Sequence, residues 1–189
     1  MGKKRRPSES SISSRDESAV FLDEILQWLC ELQSKELEIF DEKRFLELAE
    51  VVAKKMGVKV FCDLDRNYRN AYNFLILIHE QGKSPSASTD NDYDSAAKLA
   101  QFEIRVDVSR KGGFFRLRVY EIPLVDITTG FVPTQEHSKP LFKLCEQLVR
   151  LLKAQGLVQI PAALIERHIN GQNVLGGEVT VRTQLFGEI

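Results

Sequence analysis

The fold is decided by the stretch QFEIRVDVSRKGGFFRLRVYEI, which occupies residues 101–122. Apolar and polar side chains alternate over residues 102–109, and the alternation resumes over residues 115–120. A period of two places one set of side chains on each face of a β-strand. The Lys-Gly-Gly sequence at 111–113 supplies a turn between the halves, because glycine tolerates the positive φ of tight hairpins. The stretch therefore predicts an antiparallel β-hairpin.

Helical periodicity, with apolar residues three and four positions apart, recurs on both sides of the hairpin. It predicts helices over residues 21–32, 41–56, 65–82, 138–155 and 161–169. Shorter β-type runs are predicted at residues 58–62, 124–127 and 178–186. Because the strongest strand pair is a hairpin, we predict an α+β fold, with helices packed on one face of a mixed or mostly antiparallel sheet.

The first residues, MGKKRRPSESSISSRDES at 1–18, differ in composition from the rest of the chain. They hold almost no large apolar side chains, so they bury too little surface to offset the entropy lost on ordering. We therefore predict a disordered basic tail over residues 1–18. The remaining residues, 19–189, are enough for one domain of ordinary size, and we predict a single α+β domain there.

The overall charge favours neither nucleic acid nor a membrane surface, since 26 Lys and Arg residues nearly balance 27 Asp and Glu residues. No stretch reaches the roughly 20 uncharged apolar residues of a membrane helix, so we predict no membrane partner. The cysteines Cys30, Cys62 and Cys145 are widely spaced in apolar surroundings. That spacing is not typical of a disulfide framework or a zinc pair. It predicts a reducing, cytoplasmic location.

Two groups of basic residues form a candidate nucleic-acid surface. One is the arm Lys3-Lys4-Arg5-Arg6, which could contact phosphates. In a eukaryotic cell the same arm would suffice as a nuclear-import signal. The competing interpretation is that the arm only makes the chain more soluble. The other is on the hairpin, with Arg105, Arg116, Arg118 and Tyr120 on its outward face and Arg110 and Lys111 at its turn. Arginines beside an aromatic ring on a sheet contact phosphates and stack on bases. The competing interpretation is that carboxylates on the same face pair with these arginines across the strands.

Asp63 and Asp65 are candidates for a metal site. They follow an apolar run in the sequence CDLD, and paired carboxylates bind Mg²⁺ and position a phosphoryl group. This stretch is similar to the opening of haloacid-dehalogenase-type phosphatases, but Arg66 and Asn67 depart from the usual pattern. The competing interpretation is that one Asp caps a helix. Beyond these two candidates we predict no metal site, and we predict no cofactor and no catalytic residue.

The first predicted helix is apolar around much of its circumference, with Phe21, Trp28 and Leu32 among its large side chains. If one domain does not cover this face, the remainder marks a surface for a partner or a second copy; full burial is the competing explanation. We therefore predict a non-catalytic interaction module that binds another protein or itself. Nucleic-acid binding through the arm and the hairpin is the first alternative. A Mg-dependent phosphoryl hydrolase is the second.

Overall fold

The computed structural model describes residues 27, 39–64, 70–79, 93–122, 125–126, 138–172 and 177–187. The chain divides into two units, Met1–Glu36 and Leu37–Ile189, and every element described below belongs to the second. Several predictions of the sequence lie outside the described residues: the tail over 1–18 with its boundary, the arm Lys3-Lys4-Arg5-Arg6, and the proposed interface residues Phe21, Trp28 and Leu32.

Five helices and eight strands are described. The helices are α1 (Glu42–Met56), α2 (Tyr93–Ala97), α3 (Ser138–Ala154), α4 (Ala162–Ile165) and α5 (Val181–Phe186). The strands are β1 (Phe61–Asp63), β2 (Ala71–Ile78), β3 (Phe102–Ser109), β4 (Phe114–Glu121), β5 (Val125–Asp126), β6 (Val158–Gln159), β7 (His168–Gln172) and β8 (Glu178–Thr180).

Six of these strands form one sheet in the order β1-β2-β3-β4-β5, with β6 also paired to β4. Neighbours from β1 to β5 are antiparallel, and β6 is parallel to β4. Strands β7 and β8 form a separate antiparallel pair. The predicted α+β fold with a mixed, mostly antiparallel sheet is therefore confirmed.

The predicted hairpin is strands β3 and β4. Val106 lies opposite Leu117 and Asp107 opposite Arg116 in its register. Gly112 and Gly113 take φ values of 78° and 67° in the turn, a conformation that glycine adopts without steric cost. The alternation in the sequence thus fixes both the register and the two faces of the pair.

Strand β2 corrects one prediction, because residues 71–78 were expected to continue a helix. The sequence AYNFLILI places buried side chains on both faces, and only Leu75 is partly exposed. A strand covered on both sides has a continuous apolar run without the period of two. The main core covers one face of β2, and Ala96 of α2 packs against Leu77 on the other.

The two long helices lie on one face of the sheet. They pack in one core with the inward side chains of β2, β3 and β4. The helix residues in this core include Phe45, Leu48 and Val52 of α1 and Leu141, Leu148 and Leu152 of α3.

Helix α1 begins and ends as predicted. The Asp41 side chain accepts a hydrogen bond of 2.8 Å from the Arg44 N–H, and Gly57 has φ 64°. The short helices α2 and α5 lie on the opposite face. Ala96 of α2 packs with Leu77, and the Phe186 ring of α5 lies against Arg116.

The C-terminal elements differ from the sequence prediction. The helix expected over residues 161–169 ends at Ile165, and the strand expected over residues 178–186 ends at Thr180. Thr180 stops this strand because its side chain accepts a hydrogen bond from the Thr183 N–H, while the Thr183 hydroxyl accepts one from the Thr180 N–H. This reciprocal capping box begins helix α5. Among the described helices, none has the length and apolar composition to cross a bilayer.

Candidate binding groove

A cavity of about 720 Å³ lies beside the outer edge of strand β4. Its floor is the middle of β4, its first wall is one flank of α3, and its second wall is the segment from β6 through α4 together with α5. We call this cavity the β4 groove. It is lined by Arg116, Leu117, Arg118, Phe142, Cys145, Glu146, Val149, Arg150, Gln159, Ile160, Ala162, Ile165, Glu166 and Arg182.

The backbone of Leu117 faces the groove. The Ile160 N–H donates a hydrogen bond of 2.8 Å to the Phe115 carbonyl, so the Phe115 backbone groups point away from β3. Backbone direction repeats every second residue along a strand, which turns the N–H and C=O of Leu117 to the same side. Strand β6 pairs with β4 only at residues 114–115, and β5 only at residues 120–121. No described strand pairs with Leu117 on that side.

The α3 wall of the groove has an apolar part, formed by Phe142, Cys145 and Val149, beside the charged residues Glu146 and Arg150. Leu117, Cys145 and Val149 pack against the core between the sheet and the long helices, and Phe142 is 42% exposed. Burial raises the pKa of the Cys145 thiol to about 12, so this side chain stays protonated at neutral pH. The thiol contributes apolar surface to the wall, because only the thiolate is a strong nucleophile.

The opposite side of the floor carries two arginines that share one carboxylate. Asp107 Oδ2 lies 2.6 Å from Arg116 Nε and 2.8 Å from Arg118 Nη2. The side chains of Arg116 and Asp107 are 7% and 2% exposed, and the Arg116 guanidinium lies 4.8 Å from the centre of the Phe186 ring.

Two further ion pairs lie on the walls. Arg150 Nη2 is 3.8 Å from Glu146 Oε2 on the exposed flank of α3. Arg182 Nη2 of α5 is 3.5 Å from Glu166 Oε2, while the buried Arg182 Nε makes no hydrogen bond within the described part of the chain. Among the described residues, Glu146 and Glu166 thus each pair with an arginine on the walls of the groove.

The predicted nucleic-acid residues Arg105, Arg118 and Tyr120 lie together, since Arg105 is opposite Arg118 in the register and both guanidinium groups lie over the Tyr120 ring. Arg116 and Arg118 line the groove. Arg105 instead binds Glu103 through Nε and Nη2, at 3.0 and 2.7 Å, and lies 5.2 Å from the Tyr120 ring centre. The remaining two predicted residues, Arg110 and Lys111, are at the turn. The Arg110 guanidinium lies over the Tyr72 ring, and the Lys111 backbone forms an isolated antiparallel β-bridge with Ile39. The pairing of opposite charges on this face is thus present.

Glu103 has a second partner that the sequence did not reveal. Its side chain is fully buried and accepts a hydrogen bond from the Tyr93 hydroxyl of α2. Burial, followed by this hydrogen bond and the negative charge of Glu103, raises the pKa of Tyr93. Tyr93 and Arg105 together satisfy a carboxylate that is held inside the protein.

The two metal candidates are not brought into a described cluster. Asp63 ends β1, which is antiparallel to β2, whereas Asp65 lies outside the described residues. Among the residues that the structure describes, no group of three or more His, Cys, Asp and Glu side chains could hold a metal ion.

Sequence reasoning identified Arg116 and Arg118 but missed the walls of the groove. Phe142 could have indicated the α3 wall, because it is a large aromatic residue just outside the predicted apolar stripe of that helix. The sequence gave no indication that Arg182 lines the groove, because residues 178–186 were predicted to form a strand. Comparisons with known protein families, curated proteins and solved structures find no match to this chain.

Proposed function

We propose that this chain is a non-catalytic interaction module whose β4 groove binds a segment of another protein. The observation that carries the proposal is the meeting of three features at one place. The Leu117 backbone faces outward from a sheet edge, the apolar side chains of α3 lie on one side of it, and Arg116 and Arg118 point to the other face of the sheet. Peptides that add to a sheet edge gain affinity from backbone hydrogen bonds and specificity from side-chain pockets.

The size and lining of the groove support this function. A volume of about 720 Å³ is within the range of roughly 300–1,000 Å³ that is typical of ligand pockets. Phe142 at its mouth is 42% exposed, and aromatic side chains are enriched among the residues that dominate binding energy at interfaces. Binding would cover an apolar surface that now faces solvent.

The ionisable groups of the groove also support binding over catalysis. The Cys145 thiol is held protonated by burial, which raises its pKa to about 12. Asp107, Glu146 and Glu166 each lie within 3.8 Å of an arginine nitrogen. These ion pairs fix the positions of the arginine side chains around the groove.

The proposal is tested by selecting peptides from a random phage-displayed library on the full chain. The affinity of the selected peptides is then measured for the parent protein, for Phe142→Asp and for the matched control Leu99→Asp. Leu99 is 71% exposed and does not line the groove. We expect Phe142→Asp to weaken binding about tenfold or more, equivalent to about 1.4 kcal/mol, and Leu99→Asp to bind like the parent.

Circular dichroism and thermal melting show whether both variants are folded. Peptides that bind all three proteins equally would place the interaction elsewhere on the chain. A library that yields no binder would contradict the proposed function itself.

A further inference from the structure

Pairing along the outer edge of β4 is interrupted at Leu117. On the inner edge, the Ile122 N–H donates a hydrogen bond of 2.9 Å to the Gln101 carbonyl. Bonds to one neighbour recur at every second residue of an antiparallel strand, so even-numbered residues of β4 bond to β3 and odd-numbered residues, such as Leu117, turn outward. At the outer edge, β6 pairs with residues 114–115 and β5 with residues 120–121. No described strand pairs with Leu117 between them.

The interruption follows from the place at which the β6 segment leaves the sheet. This segment donates backbone hydrogen bonds to β4 at every second residue. The bonds run from Val158 to Gly113 at 3.1 Å and from Ile160 to Phe115 at 2.8 Å. The third bond of the series would run from the Ala162 N–H to the Leu117 carbonyl. Helix α4 begins at Ala162, with Pro161 as its N-cap, so the chain turns away before this bond forms.

The Leu117 backbone is therefore presented to the inside of the β4 groove, which Leu117 lines. Backbone N–H and C=O groups without a protein partner bond to water or to a ligand. One residue of an extended segment satisfies both groups at once when it lies opposite Leu117 in an antiparallel pair, and two residues do so in a parallel pair. The groove thus presents the bonding pattern that an added strand completes.

The residue opposite Leu117 would meet an apolar surface. Cross-strand neighbours point to the same face of a sheet, and the Leu117 side chain packs on the face that holds Cys145 and Val149 of α3. Burial raises the pKa of the Cys145 thiol to about 12, so this surface is uncharged at neutral pH. A large apolar side chain buries surface there, whereas a polar side chain would give up water for an apolar contact.

We infer that the occupant of the β4 groove is an extended segment of a partner protein that adds as a strand at Leu117 and inserts one large apolar side chain beside Cys145 and Val149. This inference rests on the proposed function, because it names the conformation and the anchoring residue of the segment that the same groove binds. Backbone pairing sets the position of the segment, and the anchoring side chain supplies the specificity.

The probe is a fluorescein-labelled peptide, Gly-Ser-Thr-Thr-Leu-Thr-Thr-Ser-Gly amide, titrated with the full chain and followed by fluorescence anisotropy. It has no charged residue and a single large apolar one, so its affinity reports on the anchor. A matched peptide replaces Leu by Asn, which has a similar size. We expect the Asn peptide to bind at least about tenfold more weakly, the scale of burying a leucine side chain. Equal affinity of the two peptides would refute the anchor.

Two further peptides test strand addition directly, one N-methylated at Leu and the other at the Thr that follows it. The Leu117 carbonyl accepts from the opposite residue in antiparallel addition and from the residue after it in parallel addition. Just one of these peptides should therefore lose about tenfold or more in affinity, the scale of a lost backbone hydrogen bond. Loss on the Leu peptide indicates antiparallel addition, and loss on the Thr peptide indicates parallel addition. Equal affinity of both would overturn the strand geometry.

Protein variants locate the anchor. Val149→Thr keeps the shape of the side chain but adds a hydroxyl to the wall, so the difference between the Leu and Asn peptides should fall about threefold. The matched control is Val158→Thr, because Val158 on β6 is 38% exposed and does not line the groove. Circular dichroism shows whether both variants are folded, and Cys145→Ser is a second variant at the same wall. An unchanged difference in both wall variants would place the anchor elsewhere and contradict the inference.

The outcomes separate this inference from the proposed function. Library peptides that bind through Phe142, together with designed peptides that do not bind, would overturn the inference and leave the proposed function standing. Failure of library peptides and designed peptides alike would contradict both. A dimer of the chain that Phe142→Asp dissociates would assign the groove to a second copy and overturn the inference.

Discussion

Asp107 on β3 lies directly opposite Arg116 on β4, and its Oδ2 atom is 2.6 Å from Arg116 Nε. Both side chains are almost fully buried, and the same oxygen is 2.8 Å from Arg118 Nη2. One carboxylate thus holds two arginines at the floor of the groove. Removing it would leave buried positive charge without its closest counter-ion, which costs far more than the pair itself contributes.

Asp107→Asn should therefore destabilise the protein strongly. Removing one partner of a buried ion pair costs about 3–5 kcal/mol, and the loss is measured as a lower free energy of unfolding in urea. The matched control is Glu47→Gln, which removes the exposed pair with Lys43 on α1 and should cost less than about 1 kcal/mol. Similar losses in the two variants would mean that the Asp107 site is well solvated.

Tyr93→Phe should lower stability and alter its dependence on pH. At neutral pH the variant loses a hydrogen bond to the buried carboxylate of Glu103, worth about 1.5–3 kcal/mol. Burial and that bond raise the pKa of Tyr93 in the folded state. The folded protein therefore favours the neutral phenol, and stability is lost as pH rises above the ordinary tyrosine pKa of about 10.

Urea unfolding at pH 8, 9, 10 and 11 measures this effect. The parent protein should lose more stability above pH 10 than Tyr93→Phe does, because the variant has no phenol to ionise at that position. Parallel curves for the two proteins would indicate that Tyr93 titrates alike in the folded and unfolded chains.

The hairpin could be predicted from sequence because its signal is local. Residues 102–109 and 115–120 alternate with a period of two, and the glycines between them permit the turn. Strand β2 could not be recognised in the same way. Its apolar side chains face the core on one side and α2 on the other, so the alternation that marks a half-exposed strand is lost.

The groove could not be predicted because it depends on which segments pair with β4. Arg118 was identified from its position on the hairpin, but nothing local shows that β5 and β6 pair only with the ends of that strand. Phe142 and Arg182 come from segments that are far apart in the chain and meet only through the tertiary fold. The groove forms where the flank of α3 lies beside residues 116–119 of β4, with which no described strand pairs on that side.

Thr180→Ala should destabilise the C-terminal helix α5. The variant removes the side chain that accepts from the Thr183 N–H at 3.2 Å, and loss of such an N-cap costs about 1 kcal/mol. Thr180→Ser retains the hydroxyl and should lose only a few tenths of a kcal/mol, roughly the difference between these caps. Thermal unfolding of both variants measures the effect, and equal losses would show that the hydroxyl does not stabilise the helix.

Cys145 should react slowly with alkylating reagents although it lines a cavity. Burial raises its pKa to about 12, and the thiolate is the reactive form. With iodoacetamide at pH 8, we expect labelling at least about a hundredfold slower than in the urea-unfolded chain, where the thiol returns to its ordinary pKa near 8.5. The rate in the folded protein should rise about tenfold per pH unit up to pH 10, as the thiolate fraction does.

Mass spectrometry of the peptide that contains Cys145 measures both rates in one sample series, and the unfolded chain serves as the control for intrinsic reactivity. Equal rates in folded and unfolded protein at pH 8 would mean that water reaches the thiol freely. The α3 wall would then not be apolar at this position, and the surface on which the proposed partner's apolar side chains rest would be absent.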